Sequence, residues 1–408
     1  MKKLIIIVLT ILCVTFAIDA KHWKPQPTEE VYAGMIAKAR EFAEFAKGTP
    51  AGEIVEKFLY KVEPAHLDNP YRWIGDTYAL VKNLEKLQGP VVDKGESDFA
   101  SMLRRYTLMM VDFPLHVNDK NPSMNPVEKQ EYLISRSRYL EGSCRQAIKW
   151  LKSVSPAKGE LAVYKVYNMG YIFKTSERAF GIDIRWWGSR SDAKKLAKML
   201  DVLFVTHPHG DHYTNDMLES MIECGKTIVL TKDLLPKTES PSKIILWEDR
   251  TEPLDIEGIK VRCFAGNQGK NIPCDVFHLQ FDGWTLVHNG DNSDRARDRR
   301  ISELEAPDIL IAATWNHFQV IMEAAQTARG AADKPMLFLP AHENEVGHTI
   351  DHRESYWEAF TMESRFASPT FDYMPYMLMD VGENVVVSKE FIARHKNRFS
   401  PHISELAG

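Results

Sequence analysis

The segment VTHPHGDHY places three histidines and an aspartate within six positions, directly after the apolar run DVLF. Because side chains alternate along a strand, His207 and His209 would share one face of it. Gly210 would then let the backbone turn and bring Asp211 and His212 back toward them. Imidazole and carboxylate groups are ligands for zinc and similar divalent ions. The spacing therefore predicts a metal site at the carboxyl end of a strand.

The elements around this motif have the pattern of a layered α/β domain. The run ELAVYKVYNMGYIFKTSERAFGIDI is rich in β-branched and aromatic residues and predicts paired strands. Helical spacing of apolar residues in SRSDAKKLAKML and NDMLESMIEC alternates with strand-like runs such as DVLFVT and KTIVL. We therefore predict an α/β domain over residues 158–408 that places the motif between a strand and a helix.

Residues 27–155 have a different pattern. Apolar residues recur three and four positions apart in TEEVYAGMIAKAREFAEFAKG and in NPVEKQEYLISRSRYLEGSCRQAIKWLKSV, which predicts helices. The segments between such runs, for example KVEPAHLDNPYRW, are rich in Pro, Asn and Asp and predict loops. The sequence therefore predicts an all-helical N-terminal region.

The first 20 residues have the features of a signal peptide. Two lysines precede an apolar stretch from Leu4 to Ala17, and small residues stand at Ala17 and Ala20, where a signal peptidase could cut. The stretch is short for a membrane-spanning helix, which needs about 20 apolar residues. We expect an exported protein, periplasmic or extracellular, with no stable membrane span after residues 1–20 are removed.

Composition narrows the classes of partner. The formal net charge is −5 and there is no long basic run, so nucleic-acid binding is not expected and a small-molecule substrate is favoured. Beyond the signal segment the cysteines are too few and scattered for a disulfide scaffold. Four free cysteines are the favoured interpretation, with a Cys263–Cys274 bridge as the alternative. The sequence does not indicate the oligomeric state.

The HxHxDH motif resembles the signature of the metallo-β-lactamase fold superfamily, and the resemblance extends over roughly residues 160–388. It implies an αββα four-layer sandwich with a one- or two-metal site at the sheet edges and hydrolysis by metal-activated water. Near the C-terminus, MDVGENVVVSK resembles the closing turn and strand of the branch that includes ascorbate-6-phosphate lactonase-like hydrolases.

The resemblance also implies distant partners for the motif. LVHNGDN resembles the strand ending in Gly-Asp, whose aspartate bridges two metals, and this maps to Asp291. MLFLPAHENE resembles the strand that delivers a last histidine, His342. In GIDI, Asp183 would orient a ligand histidine, although a turn aspartate is an alternative. The implied metal ligands are His207, His209, Asp211, His212, Asp291 and His342.

One expected histidine is missing. The family places it about 20 residues ahead of the bridging aspartate, where this chain reads VRCFAGNQGKN. Gln268, ahead of Asn267, occupies the position, and an amide is a poorer ligand for zinc than imidazole. His278 in DVFHLQF is a candidate replacement, with a core histidine as the alternative. Three outcomes stay open: a one-metal enzyme, a two-metal enzyme, or a metal-binding relic.

Other candidate residues follow the predicted strands. Asn316 and His317 come after DILIAA and could contact substrate, while His348 lies close in sequence to His342. Loop residues or helix caps explain them equally well.

The favoured function is an exported hydrolase acting on an ester, lactone or phosphoester. Its cofactor would be zinc, as one or two ions, with iron or manganese as alternatives. Asp211 and Asp291 would act in catalysis by holding and orienting metal-activated water, with His207 and His209 as proton carriers. The alternative is a non-catalytic metal- or ligand-binding protein that has lost one ligand histidine.

Overall fold

The computed structural model describes residues 28–62, 82, 89–90, 92–93, 96–97, 103–104, 107–108, 126–231, 234, 244–247, 250–269, 272–313, 318–328, 336–342 and 376–394. The signal segment predicted for residues 1–20 lies outside them, as do Asn316, His317 and His348. Within the described parts, the helices are all too short or too polar to cross a membrane.

The helices and strands occur in the following order. The described helices are α1 (Thr28–Phe45), α2 (Pro50–Val62), α3 (Pro126–Ser153), α4 (Arg190–Ala197), α5 (Asn215–Glu223), α6 (Arg295–Arg299), α7 (Phe318–Thr327) and α8 (Lys389–Arg394), with a 3-10 turn at Arg300–Glu303. The described strands are β1 (Val92–Asp93), β2 (Glu96–Ser97), β3 (Glu160–Tyr167), β4 (Gly170–Lys174), β5 (Ala179–Ile182), β6 (Val202–Phe204), β7 (Thr227–Thr231), β8 (Ile244–Trp247), β9 (Arg250–Ile256), β10 (Ile259–Gln268), β11 (Ile272–Phe281), β12 (Trp284–His288), β13 (Ile309–Ala313), β14 (Leu337–Ala341) and β15 (Asn384–Ser388).

The described strands of the α/β part form two mixed sheets. One has seven strands in the order β15-β3-β4-β5-β6-β7-β8, and the other has six in the order β14-β13-β12-β11-β10-β9. Strands β5 to β8 run parallel to one another, as do β12 to β14. The parallel strands β5, β6 and β7 are mostly apolar and are buried along their whole length, as expected where both faces of a sheet are covered.

The two sheets pack face to face. Phe180 of β5 meets Phe281 of β11 with ring centroids 4.8 Å apart, and Phe204 of β6 meets Phe277 of β11 at 5.4 Å. The outer face of the seven-stranded sheet packs on α1 to α5, and the outer face of the six-stranded sheet packs on α7. This arrangement confirms the predicted αββα four-layer sandwich.

The N-terminal helices share the core of the sandwich. Residues of α1, α2 and α3 belong to the same buried cluster as the outward-facing residues of β3, β6 and β7. Tyr139 of α3 donates a hydrogen bond to the Val381 carbonyl, and the buried Arg104 and Glu383 form an ion pair of 2.8 Å.

One pair of short strands departs from the predicted all-helical character of residues 27–155. Strands β1 and β2 pair antiparallel there, so that Asp93 lies opposite Glu96. In the sequence, Val91 and Val92 are β-branched and a glycine stands at position 95, features that favour a hairpin. The local preference for a hairpin therefore outweighs helix formation at this point.

Candidate metal centre

The predicted ligands follow the carboxyl ends of strands from both sheets. Asp183 follows β5 and His207 comes shortly after β6, in one sheet; Asp291 comes shortly after β12 and His342 follows β14 directly, in the other. The strands of each pair point the same way, so their carboxyl ends meet at one edge of the sandwich. Residues far apart in sequence therefore converge on one place.

Four of these residues form a compact donor cluster, defined here as the second set. The second set comprises Asp211, His212, Asp291 and His342, whose ligand atoms all lie within 4.8 Å of one another. His342 Nε2 lies 3.2 Å from Asp291 Oδ2 and 3.7 Å from Asp211 Oδ2. His212 Nε2 lies 3.4 Å from Asp291 Oδ1. Two imidazoles and two carboxylates thus face a common centre.

A neighbouring cluster, defined here as the first set, comprises His207, His209 and Asp291. His207 is fully buried and its Nε2 lies 3.5 Å from Asp291 Oδ2. The rings of His207 and His209 are 4.7 Å apart at their centroids. Asp291 contributes to both sets, which is the shared position predicted for it from the sequence.

Asp183 lies behind the second set, where it contacts His212. Its Oδ2 is 2.8 Å from His212 Nδ1, and Thr206 donates to it through both its backbone N–H and its hydroxyl. A carboxylate on Nδ1 keeps the proton there and directs Nε2 toward the metal position. Asp183 has a φ of 49°, in the left-handed region that aspartate tolerates better than most residues.

Asn168, in the turn between β3 and β4, is a further residue of the site that was not predicted from the sequence. Its Nδ2 donates to Asp211 Oδ2 at 2.8 Å, and the side chain is fully buried. The buried Lys165 amine donates to the Asn168 carbonyl and to Tyr171 Oη, which fixes the turn. The turn sequence NMG was a signal for a left-handed residue, and Asn168 has a φ of 49°. Nothing local, however, connected it with Asp211.

Gln268 reaches the first set, as its spacing predicted. It ends β10, and its Nε2 donates to Asp291 Oδ2 at 2.8 Å. Asn267 is held instead by its backbone N–H, which donates to Asn292 Oδ1. An amide therefore lies beside the first set where the resemblance led us to expect an imidazole.

Gly290 lets the Gly-Asp turn approach the strand that carries the motif. Its φ is +52°, and a Cβ at this position would lie 2.7 Å from Thr206 Oγ1. Any side chain would be strained and would displace the threonine that holds Asp183.

The family comparison is decisive for the domain. Residues 168–342 match the family model described as the beta-lactamase superfamily domain. These residues form a beta-lactamase superfamily domain. The superfamily predicted from the HxHxDH motif is thereby confirmed.

Relatives of this domain carry consistent descriptions. A metal-dependent hydrolase of Thermofilum pendens is 28% identical over 183 residues, covering 43% of this chain and 78% of the relative. A metal-dependent hydrolase of Korarchaeum cryptofilum is 26% identical over 122 residues, covering 30% of this chain and 55% of the relative. They support a metal-dependent hydrolase as the coarse description of the chain.

Solved structures give a weaker likeness. The metallo hydrolase Igni18 from the archaeon Ignicoccus hospitalis is 21% identical with a TM-score of 0.42, covering 56% of this chain and 99% of that chain. The metallo-beta-lactamase fold protein YhfI from Bacillus subtilis is 16% identical with a TM-score of 0.39, covering 56% of this chain and 100% of that chain.

In the beta-lactamase superfamily domain, His278 does not lie at the first set. Its candidate role as a replacement for the missing ligand histidine is therefore wrong. Its Nε2 bonds to the Glu305 carbonyl at 2.9 Å. Val276, two positions earlier, belongs to the cluster under α7, whereas Phe277 points into the core between the sheets. His278 therefore lies on the outer face of β11.

The cysteines of the domain are free in the described residues. Cys263 and Cys274 are both buried and do not form a disulfide. Cys274 lies close to the first set, with its Sγ 3.9 Å from His207 Nδ1, and burial raises the pKa of its thiol well above the usual value. The favoured interpretation of free cysteines agrees with this geometry.

The titratable side chains of the two sets shift one another's pKa values. Burial, together with the neighbouring His212 imidazole, lowers the pKa of His207 to about 3. Burial also acts on His212, but the carboxylates of Asp291 and Asp183 outweigh it and raise the pKa of that imidazole well above its usual value. Burial would raise the pKa of Asp291, yet the His342 and His212 imidazoles hold it well below normal. The carboxylates are therefore charged at neutral pH.

The donor set fits a divalent metal ion. Among the described residues, the buried His207 Nε2, Asp291 Oδ1 and Gln268 Oε1 have no hydrogen-bond partner. Buried polar atoms are normally satisfied, so such a group beside a donor cluster indicates a missing ligand. Imidazole nitrogens and carboxylate oxygens are the donors that zinc, iron and manganese accept in proteins.

Proposed function

We propose that this chain is an exported metal-dependent hydrolase that cleaves an ester, lactone or phosphoester bond in a small molecule. The observation that carries the proposal is the second set, four ligand residues whose donor atoms lie within 4.8 Å of one another at the edge of a beta-lactamase superfamily domain. Hydrolysis also agrees with the descriptions of the relatives.

Asp211, His212, Asp291 and His342 would hold one ion, with zinc favoured and iron or manganese as alternatives. When bound, such an ion lowers the pKa of water toward neutrality and polarises the scissile bond.

The protein groups around this position have distinct tasks. Asp183 holds His212 in the tautomer whose Nε2 faces the cluster. Asn168 fixes the carboxylate of Asp211 by donating to Oδ2. The Oδ1 of Asp291, which accepts no hydrogen bond from the described residues, can accept one from the attacking water and so orient it. His207 and His209 would contact a substrate oxygen or carry a proton.

A substrate screen tests the proposal. Protein loaded with zinc, iron or manganese is assayed against simple esters, lactones and phosphodiesters, with His212→Ala as the matched inactive variant. We expect at least one class to be hydrolysed by the wild type, with activity falling by at least about 100-fold in the variant. Equal rates for both proteins, or loss of all metal during purification, would contradict the proposal.

The second candidate is a metal- or ligand-binding protein without turnover. The observation that favours it is Gln268, whose amide lies beside Asp291 where the family supplies a ligand histidine. A protein that retains about one equivalent of metal yet hydrolyses none of the three bond classes would support this candidate over the hydrolase.

Export is the remaining part of the proposal, and it rests on the apolar segment with two preceding lysines in residues 1–20. Cell fractionation and N-terminal sequencing of the full chain test it. A mature protein that begins shortly after Ala20 in the exported fraction is expected; an intact Met1 in the cytoplasmic fraction would contradict export.

A further inference from the structure

A cluster of cationic and aromatic side chains lies beside the metal motif. It comprises Arg136 of α3, Tyr167 of β3, and Arg185 and Trp187 of the segment after β5, and we name it the arginine–tryptophan cluster. The guanidinium carbon of Arg185 lies 4.3 Å from the centre of the Trp187 ring, and that of Arg136 lies 5.5 Å from it. Tyr167 packs edge-on against Trp187 with ring centroids 5.5 Å apart. Two cations therefore contact one indole ring.

Two connections place this cluster next to the second set. Arg185 Nη1 donates to the Gly210 carbonyl at 2.6 Å, and Gly210 stands between His209 and Asp211 in the motif. On the other side, Tyr167 immediately precedes Asn168, whose amide donates to Asp211. A group bound at the cluster would thus lie beside the donor atoms at which hydrolysis is proposed.

The charge of the cluster is not balanced within the described structure. Among the described residues, neither Arg136 nor Arg185 has a carboxylate oxygen within 4.0 Å. Arg178, by contrast, pairs with Asp282 at 2.7 Å, and Arg190 pairs with Glu223 at 2.6 Å. Two guanidinium groups on one ring repel each other, and an anion between them would relieve that repulsion.

The unused hydrogen-bonding groups of the cluster are all donors. In the described structure, the buried Arg136 Nε and Trp187 Nε1 have no acceptor. A guanidinium has five N–H donors and no acceptor, and an indole is a donor only. A ligand that satisfies these groups must be rich in acceptors, and the positive charge that the described residues leave unbalanced favours an anion.

We propose that Arg136, Arg185 and Trp187 bind an oxyanion, the carboxylate or phosphate group of a small-molecule substrate, next to the bond that is hydrolysed. Assigning the oxyanion to a substrate rests on the proposed hydrolase function. Binding of the oxyanion itself does not require turnover.

Isothermal titration of EDTA-treated protein with inorganic phosphate, and separately with acetate, tests the site at constant ionic strength. We expect Arg185→Ala and Arg136→Ala each to weaken binding of the preferred anion by about tenfold, because each removes charge-assisted hydrogen bonds. Arg185→Lys should bind with intermediate affinity, since it keeps the charge but loses the fork and most of the ring stacking. The tighter of the two probes distinguishes a phosphate from a carboxylate site.

Arg190→Ala is the matched control, because this exposed arginine already has two glutamate partners, Glu219 and Glu223. It should leave anion binding unchanged. A wild type that binds neither probe at millimolar concentration would overturn the proposal. So would Arg136→Ala and Arg185→Lys proteins that melt normally and bind as tightly as the wild type. Anion binding that responds to the arginines in a protein with no hydrolytic activity would sustain the site and contradict only the proposed function.

Discussion

The first and second sets share Asp291 but differ in the contacts that hold their other side chains in place. In the second set, His212 is oriented by Asp183 and Asp211 is fixed by Asn168. In the first set, the partners of His207 Nδ1 among the described residues are the Thr206 hydroxyl at 3.0 Å and the more distant Cys274 thiol, neither of which is a carboxylate.

The difference concerns charge as well as orientation. The second set has two carboxylates and two imidazoles, whereas the first set has two imidazoles and one carboxylate that it shares. The group added to the first set is the neutral amide of Gln268, which already donates to Asp291. Metal affinity grows with anionic donors and with ligands held in place by outer contacts. We therefore expect the second set to hold a metal far more tightly than the first.

Removing a ligand from each set gives the largest expected effect. His342→Ala should abolish metal retention, a loss in affinity of at least about 100-fold, because it leaves three donors in the second set. His209→Ala should retain about one equivalent, because it affects only the first set. Elemental analysis after purification without added metal measures both. Equal loss from the two variants would show that the sets bind metal as one unit.

Gln268→His tests the contribution of the amide directly. An imidazole at the end of β10 would complete the first set, and we expect bound metal to rise from about one equivalent to about two. Asn267→His, on the neighbouring residue, is the matched control and should leave the stoichiometry unchanged, since Asn267 contacts Asn292 through its backbone. A second equivalent of metal already bound to the wild type would contradict the expectation that the first set binds metal weakly.

Asp183→Asn tests how far the contact between Asp183 and His212 strengthens metal binding by the second set. Loss of the carboxylate from His212 Nδ1 should weaken metal binding by about 10- to 100-fold, because the tautomer and ring orientation are no longer fixed. Asp201→Asn is the comparison variant, since Asp201 accepts from the Ala179 N–H at the opposite end of β5. Competition with a metal-binding dye measures both affinities. If the Asp183→Asn and Asp201→Asn proteins bound metal equally well, the contact between Asp183 and His212 would not contribute to the affinity of the second set.

The smallest expected effect concerns Asp298, which is linked through Asn292 to Asn267, the neighbour of Gln268 in the sequence. Asn292 connects the two places, because it donates to Asp298 Oδ1 and accepts from the Asn267 N–H. Burial raises the pKa of Asp298 to about 7. The folded protein therefore keeps a proton that the unfolded chain loses near pH 4, so this group's contribution to stability falls as pH rises from about 4 to about 7.

Thermal melting of EDTA-treated protein between about pH 5 and pH 8 checks this dependence. Asp298→Asn should reduce the change in Tm across the range by several degrees, while the exposed Asp255→Asn should not. A wild-type curve that the Asp298 substitution leaves unaltered would show that the carboxyl stays ionised in the folded protein.

In the N-terminal region, sequence patterns predicted a long helix but not a short hairpin or a long-range ion pair. The helical spacing of NPVEKQEYLISRSRYLEGSCRQAIKWLKSV predicted α3, which the structure confirms as Pro126–Ser153. The short hairpin of β1 and β2 was missed. Nor could periodicity reveal that Arg104 pairs with Glu383 across 279 positions, because such a contact depends on how the layers stack.

The sequence by itself determined the motif, the strand ends and the candidate ligand residues. These are local features: alternation along a strand, a Gly-Asp turn and the run before His342 fix which side chains emerge at a carboxyl end. Only the tertiary structure decided which of them meet. His278 lies on the outer face of its strand, Asn168 reaches Asp211, and Arg136 of α3 reaches the Trp187 ring. The reason is that strand order and layer packing are set by interactions between distant residues, which no local pattern encodes.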